Sequence, residues 1–168
     1  MLTRSNDTGL SNDQRAELAN RTHAVACIVL HATASGTGVH LATAMASATT
    51  PAVASGAIRW DDAQTAYLPQ SQRLADQIGA AMNRSQVPLV TDRAALRPLD
   101  NLMCPAISIE LAPLVVDGND PVPVTNASYQ QHVDTAIAGA LIFWRNQAQP
   151  PVTPGVRSAA PGNAGGTQ

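Results

Sequence analysis

The sequence predicts an α/β fold, a mainly parallel or mixed sheet flanked by helices, and two observations carry that expectation. The runs "AVACIVLH" (residues 24–31) and "PAISIEL" (residues 105–111) are apolar without alternation, as in strands covered on both faces. Between them lies a clear amphipathic pattern, "SQRLADQIGAAMNR", in which Leu74, Ile78 and Met82 recur every fourth residue. Strand and helix patterns that alternate in this way are the signature of a layered α/β domain.

Taken in order, the chain opens as a strand end and loop. A helix follows in "SNDQRAELANR", with Ser11 as N-cap, Asp13 in the first turn and Leu18 on the apolar side. The buried strand then ends in His31. A glycine-broken turn leads to a short strand around Val39 to Thr43. Residues 44–58 are rich in Ala, Ser and Thr and predict a long surface loop. Ser71 is the expected cap of the next helix, and "VPLVT" (Val87 to Thr91) the next strand. Pro105 opens the second buried strand at its first residue, where a missing N–H is tolerated. The last helix runs roughly from Tyr129 to Arg145, with Val133, Ile137, Ala140, Leu141 and Trp144 as its apolar stripe. One domain over residues 1–146 is expected, followed by a Pro/Gly-rich disordered tail at 147–168.

Composition narrows the function. The 168 residues suffice for one domain with a real core. Charged residues make up only 13% and the net charge is −2, which provides no electrostatic footprint for nucleic acid or an anionic membrane. No apolar run reaches the length of a membrane-spanning helix, and the first residues contain no signal-peptide core. Cys27 and Cys104 belong to no metal-ligand spacing and are expected as two buried core thiols. A disulfide between them depends on the two strands being neighbours.

The chemistry concentrates at the two strand ends. Ligands of α/β sheets collect beyond the carboxyl ends of strands, and His31 and Glu110 both stand there. A neutral imidazole is a good zinc ligand, and a carboxylate beside it can deprotonate a zinc-bound water. The plain alternative is a structural histidine and a glutamate leaving the core. Trp60 and Tyr67 are among very few aromatics; either they stack on sugar rings or they pin the neighbouring loop to the core.

These residues also form an ordered pattern. Thr3-Arg4, Asp7, Leu10, Arg15 and Ala19-Asn20 precede the strand that ends in His31. "SQRLADQI", "LRPLDNLMCPAISIE" and "YQQHVDTAIAGALIFW" follow it. Over residues 1–146 this resembles the zinc-dependent N-acetylmuramoyl-L-alanine amidases. The resemblance implies that His31 is a ligand of Zn2+ and Glu110 the catalytic glutamate. The implied substrate is peptidoglycan, cut at the amide between N-acetylmuramic acid and L-alanine. It also implies a periplasmic, cell-envelope or secreted location.

The chain departs from the pattern in places. Val29 stands where the family has serine, Thr33 where it has asparagine, and Leu-Ala-Pro follows Glu110 where Leu-Gly-Phe is common. The family's first strand and helix, with its two other zinc ligands, precede Thr-Arg and are expected upstream of Met1, as in an amino-terminally truncated domain. Such a chain is expected to be marginally stable or aggregation-prone, because a missing central strand leaves backbone groups unpaired and apolar surface uncovered. His40, nine residues after His31, is the best placed of the other histidines (His23, His132) to rebuild a site. Arg93 and Arg97 are either contacts for a substrate carboxylate or solvated charges. A non-catalytic module that binds peptidoglycan or a partner protein is the alternative function, and an unrelated α/β domain the third.

Overall fold

The computed structural model describes residues 1–45, 59–115 and 120–148. The long loop expected at 44–58 lies outside the described residues except for Ala44 and Met45, and so does the tail from residue 149 onward.

Helix α1 (Asn12–Asn20) begins as the sequence predicts. Ser11 accepts from the Gln14 N–H, and the Gln14 side chain accepts from the Ser11 N–H, which closes a capping box. The eleven residues before it contain no strand, against the strand end expected there. Four strands then form one sheet: β1 (Cys27–Ala32), β2 (Val39–Ala44), β3 (Leu89–Ala94) and β4 (Ala106–Leu111). Their order is β1-β4-β2-β3. β1 runs parallel to β4 and β2 parallel to β3, while β2 and β4 are antiparallel. The sheet is therefore mixed, two parallel pairs joined back to front.

Helices α2 (Leu68–Arg84) and α3 (Ala127–Ala148) pack on one face of this sheet. Val39, Leu41, Ile107, Ile109 and Leu111 from the sheet meet Leu74, Ile78 and Met82 of α2 and Val133 of α3. A smaller apolar cluster on the other face joins Ala16 of α1 to Cys27, Ala44, Leu99, Leu102, Cys104 and Ala106. It covers only the end of the sheet where β1 and β4 begin.

Several local expectations change. Ser71 does not cap α2; it lies fully buried one turn inside it. The helix starts earlier because a 3-10 helix (Trp60–Tyr67) leads straight into it, with Pro69 in the first turn. Ser71 donates to Gln64 Oε1 and accepts from the Ala106 N–H, and Gln64 donates to the carbonyls of Leu102 and Cys104. This buried network holds the entrance of β4 to α2. β3 begins two residues later than expected and ends three later, since the Val87 N–H closes the end of α2 on the Met82 carbonyl. α3 takes in residues 147 and 148 of the expected tail.

The two cysteines are not free thiols. Parallel pairing of β1 and β4 brings Cys27 beside the loop before Ala106, and Cys27 and Cys104 form a disulfide with 6.1 Å between their Cα atoms. Among the described residues β1 pairs on one side only, with β4. Its apolar side chains show it: Leu30 is 58% exposed and Val25, just before the strand, 59%.

Candidate active site at the ends of β1 and β4

The register answers whether the two strand-end residues share a place. His31 is the direct partner of Glu110 across β1 and β4, and His40 is the partner of Glu110 across β2 and β4. Residues in register project from the same face of a sheet. His31, Glu110 and His40 therefore form a row over three neighbouring strands, roughly 10 Å across at about 4.8 Å per strand. This is the face opposite α2 and α3, and all three side chains are exposed. The carboxyl ends of β1 and β4 and the start of β2 supply the row.

The backbone around the row is closely tied. The Thr33 N–H donates to the Leu111 carbonyl at 2.9 Å, and the Ala112 N–H to the Gly38 carbonyl at 2.9 Å. The buried Tyr129 hydroxyl, from α3, donates to the Ala112 carbonyl at 3.0 Å. Burial raises the pKa of that phenol, so it remains a donor. Pairing thus continues past Glu110 on both sides, which fixes this carboxylate on the central strand.

Two residues further from the strand ends, on the same face, the pairs are Val29 with Ser108 and Ser108 with Ala42. Val29 packs against the small apolar cluster of Cys27 and Ala106. The valine that replaces the pattern's serine thus extends the apolar floor behind His31.

Other candidates take structural places. Arg93 reaches Gln72 of α2 at 3.5 Å, on the helix-covered face away from the row. Arg97 donates to Asp61 at 2.7 Å and lies 4.0 Å from Asp13. The Trp60 indole donates to Asp13 at 3.3 Å, so this aromatic pins its segment to α1. His23 stands in the turn after α1 with a positive φ of 48°, and His132 is exposed on α3. Asp100 has its pKa raised, mainly by burial, but it belongs to the Leu99–Asn101 turn and not to the row. A cavity of about 320 Å³ lies along the outer edge of β1 between Arg4, Arg15 and Leu30, and neither Glu110 nor His40 lines it.

The Asn20 of the "AN" pair has a clear role. Its amide donates to the Asn101 carbonyl at 3.0 Å and accepts from the Met103 N–H at 2.7 Å. It fixes the loop that feeds β4, and through β4 the position of Glu110.

The resemblance implies zinc, so the donor set matters. A catalytic zinc needs about three protein ligands and a water. Among the described residues no three His, Cys, Asp or Glu side chains are grouped to hold a metal ion. The described residues therefore do not complete such a centre. His40 is the sequence-level candidate that the register brings to the row, although its ring bonds the Thr37 carbonyl at 3.1 Å.

Comparison with known proteins agrees with the architecture. The catalytic domain of CwlV, an N-acetylmuramoyl-L-alanine amidase from Bacillus (Paenibacillus) polymyxa var. colistinus, superposes with a TM-score of 0.60 at 16% identity. The match covers 87% of this chain and 72% of that one, and shows the shared fold. No curated protein sequence matches the chain. Among the described residues no helix is long and apolar enough to cross a membrane. The family model for N-acetylmuramoyl-L-alanine amidases matches residues 1–142 of the 168, and with most of the chain inside that match, the protein belongs to this family.

Proposed function

We propose that the chain carries the catalytic surface of a peptidoglycan amidase that cuts the bond between N-acetylmuramic acid and L-alanine. The observation that supports it best is the direct pairing of His31 with Glu110 on an exposed face, within a chain of this family. In this reading Glu110 is the general base. It takes a proton from the attacking water, whose oxygen adds to the lactyl carbonyl carbon. It then passes that proton to the nitrogen of L-alanine as the carbon–nitrogen bond breaks. Its place on the central strand β4, between β1 and β2, keeps the carboxylate fixed while it remains open to solvent.

His31 is the residue that the family pattern makes a ligand of Zn2+. When bound, zinc supplies an activated water at neutral pH. The described residues supply an incomplete donor set for the metal, and the proton transfers above fall to Glu110. The location proposed is periplasmic, cell-envelope or secreted. The disulfide supports it, because such bonds persist in oxidising compartments.

A second reading, a non-catalytic module that binds peptidoglycan through the same face, is favoured by Val29 and Thr33 at the positions of the pattern's serine and asparagine. Incubating the chain with muropeptides and zinc, while measuring bound metal, separates the two. Release of L-alanine-terminated peptides that disappears in Glu110→Gln supports the amidase. Binding of muropeptides without release supports the module.

A further inference from the structure

The row contains one residue that the proposed chemistry does not use. His40 lies across from Glu110 in the antiparallel pair, on the same face. Its orientation is set by an unusual local turn. Gly36 and Gly38 both have positive φ, 86° and 73°, and flank Thr37. A Cβ on Gly38 would stand 2.7 Å from the Pro88 carbonyl oxygen, so only glycine fits there. The turn curls back so that the Thr37 carbonyl oxygen lies 3.1 Å from His40 Nε2. Thr37 is held a second time, through its hydroxyl oxygen, which accepts from the Val115 N–H at 3.2 Å.

A carbonyl can only accept. The bond therefore places a proton on His40 Nε2, and in the neutral ring Nδ1 is left as an acceptor. We infer that His40 is a substrate-binding residue that accepts an amide N–H of the muropeptide through Nδ1, on the flank of Glu110 opposite His31. This rests on the amidase reading and deepens it. An amide cut over Glu110 has further N–H groups on both sides, in the acetamido group of the sugar and in the peptide bond after L-alanine. A fixed acceptor one strand away from the base would set how the scissile bond lies over the carboxylate.

The test uses the full chain with added zinc and two substrates, N-acetylmuramoyl-L-alanine and N-acetylmuramoyl-L-alanyl-D-isoglutamine. Only the second has a peptide N–H beyond L-alanine. In His40→Ala, KM is expected to rise about 3- to 10-fold, the value of one neutral hydrogen bond, with kcat little changed. His40→Asn, whose amide oxygen can take the place of Nδ1, should recover most of the loss. A rise confined to the dipeptide substrate assigns the peptide N–H, and a rise on both assigns the acetamido N–H.

A histidine that only braces the turn would leave KM unchanged, and that result overturns the inference while leaving the amidase reading intact. So would a ring protonated on Nδ1 rather than Nε2 in long-range proton–nitrogen NMR spectra, a readout that needs no turnover. If the wild-type chain neither cuts nor binds either substrate, the amidase reading fails and this inference with it.

Discussion

The two faces of the sheet are made from the same four strands and meet opposite fates. Along β4, Ile107, Ile109 and Leu111 project toward α2 and α3, and the two isoleucines are wholly buried. Ala106, Ser108 and Glu110 project the other way, and that series passes from a closed apolar floor to an exposed carboxylate. One residue of register separates a core position from a reactive one. The covered face supplies the larger apolar core. The open face carries the side chains with chemistry, and it is covered only where nothing reactive stands.

That contrast can be broken from either side, and the effects should rank. Glu110→Gln is expected to lower muropeptide turnover by at least about 100-fold, the usual scale of a general base, with an unchanged melting temperature. A large loss of stability in that variant would mean that the open face also holds the fold. On the covered face, Ile109→Ala should cost about 2–5 kcal/mol of unfolding free energy, read from the urea midpoint. Loss of the disulfide by Cys27→Ser with Cys104→Ser should cost about 2–4 kcal/mol, since the bond closes a loop across 77 residues. Asn20→Ala removes both ties to the loop before β4 and should cost about 1–3 kcal/mol, while lowering kcat through misplacement of Glu110. Smallest, Ser11→Ala loses the cap of α1, about 1 kcal/mol by thermal melting, with no effect on turnover.

How much of this was legible in the sequence follows from which features are local. β1 and β4 are readable because an apolar run that stops at a single charged or titratable residue marks where a strand leaves cover. α1 is readable because its cap is made by residues three apart. Ser71 shows the limit: it has the local form of a cap, yet its hydroxyl serves Gln64 and Ala106, seven and thirty-five residues away. The 3-10 helix at Trp60–Tyr67 is only eight residues long, and one of its buried residues is the polar Gln64. Strand order is equally non-local. The row emerges only when β2 turns antiparallel against β4, which brings His40 to Glu110. Sequence alone placed His31 and Glu110 at strand ends, but their adjacency and the disulfide both depend on β1 and β4 being neighbours.

A strand clamped at one end can leave its sheet only from the other. The Cys27–Cys104 bond fastens the first residue of β1 to the loop feeding β4, four residues and roughly 13 Å from His31. β1 has no neighbour on its outer side among the described residues. Its breathing must therefore run as a zipper that opens at His31 and stops at Cys27. Backbone amides near Leu30 to Ala32 would then exchange with solvent sooner than those near Cys27 and Ile28. Looseness is thereby directed toward the end that admits the substrate in the proposed amidase reading, and the covalent clamp keeps it from spreading into the core.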